Sequence, residues 1–221
     1  MGKNLQKFLV LFLIPALFLT IENGIKNTYK SSFQIEKSNL PDSNKVITDS
    51  NCSLREALTG IDIPVKIREM LTLVSVYYYS FDGRLHKGQL VININLAKDI
   101  QAIFEEIKAD KFPVAKVIPI YKYDWDDMAS MKDNNTSAFN YRIIKGTNKI
   151  SKHAAGRAID INPRLNPQIK NGVVTPQGSY YNTRKRGTIS DSSFIVKSFL
   201  KRGWHWGGFW KHLKDYQHFE K

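Results

Sequence analysis

The segment SKHAAGRAIDIN, residues 151–162, limits the possible folds of this chain more than any other short stretch. Gly156 permits a tight turn, and the run from Ala158 to Ile161 is typical of a short strand with a buried face. Asp160 lies inside that strand between two isoleucines, where an unpaired carboxylate costs several kcal/mol. The sequence therefore predicts that Asp160 is neutralised by a partner or by a bound cation.

The N-terminus has the pattern of an export signal. Lys3 and Lys7 precede an apolar run from Phe8 to Ile21, which is shorter than the roughly 20 residues of a membrane span. No small-x-small cleavage site follows, so residues 1–22 are predicted to be either a signal peptide or an uncleaved N-terminal membrane anchor. We therefore expect an extracytoplasmic protein that is secreted, periplasmic or membrane-anchored at the cell surface.

Charge and cysteine content restrict the partners and the metal chemistry. The formal net charge is +13, which suits anionic partners such as nucleic acid, phospholipid or an acidic cell-wall polymer. The chain lacks a nucleic-acid-reading motif, and export would separate it from nucleic acid, so we expect no nucleic-acid partner. Cys52 is the only cysteine, which excludes an intramolecular disulfide and a thiolate zinc cluster. Any metal would need histidine and carboxylate ligands.

Composition divides the rest of the chain into a linker and one folded domain. Residues 23–60 are rich in Ser, Asn and Lys and are predicted to be a linker, and residues 61–221 are predicted to be the folded domain. The segments TLVSVYYYS and QLVINI predict a hairpin around Asp82-Gly83. The stretch VAKVIPIYKY predicts another strand.

Two segments have helical periodicity. Apolar residues recur at helical spacing in NLAKDIQAIFEEIKADKF, where Asn95 is predicted to cap the helix. A second helix is predicted over Asp191 to Arg202, before Gly203. Because strands and helices do not alternate regularly, the predicted class is α+β, with a small, mainly antiparallel sheet and flanking helices.

The histidines and carboxylates predict a metal site. His153, Asp160 and His218 form the two-imidazole, one-carboxylate set that is frequent in catalytic zinc sites, where a fourth position stays open. A zinc ion would also neutralise Asp160. Asp215 precedes His218 by three residues and is the candidate general base.

Three motifs carry a resemblance to a known family. The first is Ser-x-His-x-x-Gly-x-Ala-x-Asp-Ile at residues 151–161, and the others are Gly-Trp-x-Trp-Gly-Gly-x-Trp and Asp-x-x-His-Phe near the C-terminus. Together with SMKDNNTSAFNYR upstream, they resemble the D-alanyl-D-alanine carboxypeptidase family of zinc peptidases. That family includes the VanX and VanY resistance enzymes and the L-alanyl-D-glutamate endopeptidases. The resemblance extends from about Met70 to the C-terminus.

The resemblance implies a role for each matched residue. It makes His153, Asp160 and His218 the zinc ligands, and it makes Asp215 the general base. Arg142 matches the arginine that polarises the scissile carbonyl, a role that a permanently charged guanidinium suits. Ser151 would bind substrate or orient the turn. The VanX-like branch has glutamate at the base position, so Asp215 is more similar to the endopeptidase branch.

The same resemblance implies a fold and an activity. The expected fold is the hedgehog/DD-peptidase type, and the expected activity is hydrolysis of an amide bond in peptidoglycan stem peptides by a monomeric enzyme. D-alanyl-D-alanine carboxypeptidase action is the first expectation. The alternatives are an L-alanyl-D-glutamate endopeptidase and a non-catalytic cell-wall-binding module of the same fold.

The remaining histidines and the tryptophans each allow two interpretations. His205 is the rival zinc ligand, because it lies in the same C-terminal segment as His218. His86 and His212 are expected to be structural or exposed. The tryptophans near the C-terminus are expected to fill a core or wall a pocket, with stacking on sugar rings as the alternative.

Two charged runs are also open to two interpretations. The basic run Arg184–Arg186 is expected to be solvated surface, with attraction of stem-peptide carboxylates as the alternative. Asp124, Asp126 and Asp127 are expected to lie in a loop, with cation binding as the less favoured alternative.

Overall fold

The computed structural model describes residues 45–144 and 149–221. The predicted leader and the first part of the predicted linker lie outside these residues. No helix in the described ranges combines the length and the apolar character that crossing a membrane requires. The described residues form several small sheets and short helices, which agrees with the predicted α+β class.

Most strand pairs are antiparallel, but they are distributed over three three-stranded sheets and one two-stranded sheet, whereas the sequence predicted one sheet. The strand orders are β1-β3-β2, β10-β7-β8, β6-β11-β9 and β4-β5. The strands are β1 (Ile47–Thr48), β2 (Leu71–Tyr79), β3 (Leu85–Asn93), β4 (Lys116–Val117), β5 (Asn135–Thr136), β6 (Ala158–Asp160), β7 (Gln168–Lys170), β8 (Val173–Thr175), β9 (His205–Trp206), β10 (Lys214–Asp215) and β11 (His218–Glu220).

The helices are short apart from one. They are α1 (Leu54–Ala57), α2 (Val65–Arg68), α3 (Ala97–Ala109), α4 (Asp127–Lys132) and α5 (Phe194–Leu200). Single 3-10 turns cover Ile94–Leu96, Ile120–Tyr123, Lys152–Ala155 and Gly207–Phe209.

The predicted hairpin is confirmed as strands β2 and β3, which pair from Leu71↔Asn93 to Tyr79↔Leu85. Val74, Val76 and Tyr78 alternate along β2 and are buried, because successive side chains of a strand point to opposite faces. Helix α3 contributes Ile100, Ile103, Phe104 and Ile107 to the same core, as the helical spacing predicts. The hairpin and α3 therefore form the main scaffold.

Three element boundaries differ from the predictions. Asn93, and not Asn95, is the capping residue, and it caps the 3-10 turn that precedes α3. Only Lys116–Val117 of the predicted third strand is a strand, because Pro119 leads directly into a 3-10 turn. Helix α5 begins after Ser193 and not at Asp191. The residues before it form a turn, in which the Ser193 hydroxyl donates to the Ser190 carbonyl oxygen at 2.5 Å.

Residues 45–60 lie within the predicted linker, yet they have defined structure. Strand β1 pairs in parallel with β3, and Ala57 and Leu58 are buried. Ser53 and Glu56 form a capping box, in which the Ser53 backbone N–H donates to the Glu56 carboxylate at 2.6 Å. The packed structure thus extends N-terminal of residue 61. The Ser-x-x-Glu spacing was the available sequence signal.

A charged cluster joins helices α3 and α5. Glu106 accepts hydrogen bonds from Arg202 Nη2 at 2.7 Å, Lys201 Nζ at 2.7 Å and Ser198 Oγ at 2.5 Å. These bonds lower the pKa of Glu106 to about 2, led by the bond from Arg202. The ionised carboxylate is therefore favoured in the folded state.

We expect Glu106→Gln to reduce the free energy of unfolding by about 1 kcal/mol at neutral pH, after allowing for solvent screening of a side chain that is one-third exposed. Because the folded-state pKa is lowered, the stabilisation is fully present above about pH 4.5, the ordinary glutamate pKa, and is lost as pH falls through about 2. Urea unfolding of the wild type and of Glu106→Gln between pH 7 and pH 2 measures how the difference in their free energies of unfolding shrinks as pH falls. Glu105→Gln, which removes a carboxylate from the exposed face of α3, is the control. A Glu106→Gln deficit of constant size down to pH 2 would contradict the assignment.

Candidate metal centre

Strand register brings two of the predicted zinc ligands together. Strands β6 and β11 are antiparallel, and Asp160 lies directly opposite His218. Side chains at directly opposite positions have Cβ atoms about 4.5–5.5 Å apart. Both residues therefore face the same side of the sheet at contact distance.

The third predicted ligand, His153, is delivered by the 3-10 turn Lys152–Ala155. The Ser151 hydroxyl caps this turn by accepting from the His153 backbone N–H at 3.2 Å. Gly156 ends the turn at φ +63°, and a Cβ there would lie 2.7 Å from the Asn93 backbone nitrogen. Only glycine allows the turn to pack so closely on β3, which explains the small residues of this segment.

The three side chains converge in a buried cluster. His153, Asp160 and His218 are exposed to only 3%, 6% and 6%. His218 Nδ1 lies 3.0 Å from Asp160 Oδ1, and His153 Nε2 lies 3.3 Å from Asp160 Oδ2. The two imidazole nitrogens are 3.2 Å apart. One ligand atom from each residue lies within 4.8 Å of the others, which is the spacing required to hold one metal ion.

The outer nitrogens of both imidazoles are occupied by acceptors. His153 Nδ1 lies 2.5 Å from the Ala138 carbonyl oxygen, which can only accept, so this nitrogen carries a hydrogen. His218 Nε2 donates in the same way to Glu220 Oε2 at 3.0 Å. In the neutral rings, the lone pairs of His153 Nε2 and His218 Nδ1 then face each other and the Asp160 carboxylate. Such an arrangement needs positive charge between the groups, which a proton or a metal ion can supply, and two nitrogens with one oxygen suit zinc.

The electrostatics of the cluster agree with this requirement. Burial disfavours a charged His218, but hydrogen bonds to Asp160 and Glu220 outweigh it and raise the pKa of His218 to about 10. Burial also works against ionisation of Asp160, yet its two histidine neighbours lower the pKa of this carboxyl below its ordinary value. A positive charge on the histidines beside the Asp160 carboxylate is thus favoured. A metal ion would take over this role and release the proton.

Asp215 lies beside the cluster on β10, opposite Gln168 in the strand register. Its Oδ2 accepts from Gln168 Nε2 at 2.8 Å, whereas Oδ1 is buried and has no hydrogen-bond partner among the described residues. Burial, followed by the negative charge of Asp160, raises the pKa of Asp215 and outweighs the lowering effects of His218, Gln168 and the nearby Gln217 side chain, which forms no hydrogen bond of good geometry with it. An unpaired buried carboxylate oxygen is costly unless it serves a function, so Oδ1 is available to take a proton.

The structure ties Arg142 to the turn that carries His153, but it shows no contact of Arg142 with the three predicted zinc ligands. Its carbonyl oxygen accepts from the Ser151 backbone N–H at 3.1 Å, and its Nη2 lies 3.0 Å from Asp127 Oδ2. Asp127 therefore holds the guanidinium. The predicted acidic loop is wrong for Asp127, which begins helix α4, whereas Asp126 caps that helix and Asp124 ends a 3-10 turn. The catalytic roles of Arg142 and Ser151 stay predictions.

The other histidines lie apart from the cluster. His205 is exposed on β9, and His212 is exposed as well. His86 is buried, with Nδ1 2.9 Å from Asp49 Oδ2 and Nε2 3.2 Å from Asp82 Oδ2.

Of the three tryptophans near the C-terminus, two fill the core and one borders the site. Trp204 and Trp206 are buried, and the ring centroid of Trp210 lies 5.2 Å from that of His218. These positions agree with the favoured prediction that the C-terminal tryptophans fill a core or wall a pocket.

Glu220 was not identified from the sequence. It follows His218 by two residues on β11, and residues i and i+2 of a strand lie on one face. A carboxylate at that spacing from a ligand histidine was the available signal.

Comparison with known proteins supports the resemblance. Residues 145–221, about a third of the chain, match a family model described as D-alanyl-D-alanine carboxypeptidase. This range contains His153, Asp160, Asp215 and His218 but not Arg142. No curated protein and no solved structure matches the chain. The family resemblance predicted from the sequence is confirmed over the matched residues.

Proposed function

We propose that this chain is a zinc-dependent peptidase that hydrolyses an amide bond in peptidoglycan stem peptides and removes the terminal residue of D-alanyl-D-alanine. One observation carries the proposal. Within the segment that matches a D-alanyl-D-alanine carboxypeptidase family, two imidazole nitrogens and one carboxylate converge in a buried cluster beside a carboxylate with an unpaired oxygen.

His153, Asp160 and His218 would hold the zinc ion, and the hydrogen bonds to Ala138 and Glu220 would fix the two imidazole rings. When bound, zinc supplies Lewis-acid polarisation of a carbonyl and lowers the pKa of a water molecule. The nitrogen and oxygen donors suit zinc, and no soft thiolate is needed.

Asp215 would move the proton. Gln168 anchors its Oδ2, so Oδ1 stays in place to accept a proton from the attacking water and to return it to the departing amine. Because the group is buried, water competes little for that oxygen. Arg142, held by Asp127, would donate hydrogen bonds to the oxygen on which negative charge develops.

The setting of the enzyme is part of the same proposal. The basic and apolar N-terminus supports export, and the positive net charge suits an acidic cell-wall polymer. We infer extracytoplasmic action on stem peptides by a monomer with the hedgehog/DD-peptidase fold, and no role for nucleic acid.

A second activity is favoured by one residue. Asp215 stands where the VanX-like branch has glutamate, which supports L-alanyl-D-glutamate endopeptidase action. A non-catalytic wall-binding module is less favoured, because such a module would not need a buried carboxylate with an unpaired oxygen.

The test is product identification. The full chain, loaded with zinc, is incubated with stem peptides that end in D-alanyl-D-alanine, and the products are analysed by mass spectrometry. Loss of one alanine from the C-terminus is expected. Cleavage between L-alanine and D-glutamate would establish the endopeptidase instead. Tight zinc binding without any cleavage would show a binding module and overturn the proposal.

A further inference from the structure

We propose that a basic, aromatic-lined cavity, formed in part by a loop that packs on Tyr216, binds a carboxylate of the stem peptide at a distance from the cleaved bond, an inference that rests on the proposed function. The cavity has a volume of about 360 Å³. The residues on which the inference depends are Phe81, Asn134, Arg164, Leu165, Tyr180 and Lys185, all of which line it.

Both cationic side chains of the cavity lack a counter-ion. Arg164 and Lys185 are exposed, and neither has an ion-pair partner within residues 45–144 and 149–221. Asn134 Oδ1 accepts from the Arg164 backbone N–H at 2.9 Å, which fixes the main chain at that position. The arginine is therefore well placed to receive an anionic ligand.

The acidic residues that adjoin the cavity in sequence are engaged elsewhere. Asp82 follows Phe81 but lies 3.2 Å from His86 Nε2. Asp133 precedes Asn134 but lies 2.8 Å from Lys116 Nζ and accepts from the Tyr123 hydroxyl at 2.7 Å. Neither carboxylate is free to neutralise the cavity, so its positive field is available to an anion.

Two aromatic rings give the cavity an apolar component. Tyr180 is 68% exposed and Phe81 is 48% exposed, which is high for rings of this size. Exposed aromatic rings beside unpaired cations suit a ligand that joins an aliphatic or ring portion to a negatively charged group. A stem peptide has both.

The loop that forms one wall of the cavity is held firmly in place. Gly187 has φ +82°, and a Cβ there would lie 2.5 Å from Phe81 Cζ and 3.0 Å from Leu165 Cδ1. Its carbonyl oxygen accepts from Asn162 Nδ2 and Asn166 Nδ2, each at 3.1 Å. The absence of a side chain at position 187 therefore lets the loop pack directly on the cavity.

The same loop is packed on the catalytic segment. The ring of Tyr181 stacks on that of Tyr216 with centroids 3.6 Å apart and planes 6° apart. Tyr216 lies between Asp215 and His218 in the chain, and Tyr181 follows Tyr180 of the cavity. The loop that carries Tyr180 is thus in direct contact with the segment that carries Asp215 and His218. This continuity favours the substrate over an unrelated anion.

The test compares two stem peptides that differ only in charge. One has free carboxylates away from the cleaved bond, and the other has those carboxylates converted to amides. We expect the wild-type KM to be roughly fivefold lower for the carboxylate peptide, as two partly exposed ion pairs would give, with kcat unchanged. The difference should shrink in about 1 M salt, where the screening length is about 3 Å.

The variant Arg164→Gln/Lys185→Gln should abolish this KM difference and leave kcat for the amidated peptide unchanged. The variant Lys66→Gln/Arg68→Gln removes the same charge from helix α2 and should retain the difference. Equal wild-type KM values for the two peptides would overturn the cavity assignment while the proposed peptidase function stood.

Two further outcomes are distinguishable. Cleavage of neither peptide would defeat the proposed function, and the cavity would then be judged from equilibrium binding of both peptides by calorimetry, where equal affinities overturn it. Binding of poly(glycerol phosphate) that is lost in Arg164→Gln/Lys185→Gln, without discrimination between the peptides, would assign the cavity to a phosphate polymer and also overturn the proposal.

Discussion

Asp160→Asn is expected to abolish tight zinc binding and peptide hydrolysis together. Asparagine has nearly the same shape but lacks the negative charge that lies 3.0 Å from His218 Nδ1 and 3.3 Å from His153 Nε2. We expect zinc affinity to fall by more than the roughly 10–100-fold that is typical when an outer hydrogen-bond partner is lost. Zinc content after dialysis, measured by elemental analysis, and the rate of peptide cleavage report the two effects.

Two variants serve as controls for this prediction. Glu220→Gln leaves all three ligands intact and weakens only the bond to His218 Nε2, so zinc affinity should fall about 10–100-fold and activity should return with excess zinc. His205→Ala removes an exposed histidine and should change neither property. Full zinc retention by Asp160→Asn, or loss of zinc in His205→Ala, would refute the ligand assignment. Circular dichroism of each variant separates loss of metal from loss of fold.

Asp215→Asn is expected to reduce kcat by about 10²–10⁴-fold, the usual contribution of a general acid–base group. Zinc content should stay at the wild-type level, because Asp215 is not one of the three converging ligands. The amide oxygen of asparagine can still accept from Gln168 Nε2, so the strand pairing of β10 with β7 should persist.

Gln168→Ala is the matched comparison for Asp215→Asn. It removes the hydrogen bond that anchors Asp215 Oδ2 at 2.8 Å but keeps the carboxylate, so it should lower kcat much less. Steady-state kinetics and elemental analysis on the same samples measure these effects. Near-wild-type kcat in Asp215→Asn with zinc bound would exclude Asp215 as the base.

Elements with strong local patterns were predicted well from the sequence. The β2–β3 hairpin has alternating apolar residues and an Asp82-Gly83 turn, and helix α3 has a regular apolar face. Such patterns reflect which side of an element is buried, and this is encoded over a few neighbouring residues. Strand β1 has only two residues and no periodicity, so its pairing with β3 could not be predicted.

For the site, local chemistry determined the ligand types and distant packing determined their surroundings. A buried carboxylate between two isoleucines requires a partner or a bound cation whatever the details of the fold, and His153 and His218 were the matching donors. By contrast, the pairing of Arg142 with Asp127 and the orphan oxygen of Asp215 depend on segments brought together by folding. No spacing rule specifies such contacts.

The sequence by itself therefore determined that a buried carboxylate needs a positive partner and which histidines could supply a metal site with it. Only the tertiary structure decided that Asp160 lies opposite His218, that Glu220 occupies the outer nitrogen of that histidine, and that Tyr181, next to Tyr180 of the basic cavity, stacks on Tyr216. The physical reason is that residue chemistry is a local property, whereas strand register and the packing of loops depend on contacts between residues far apart in the chain.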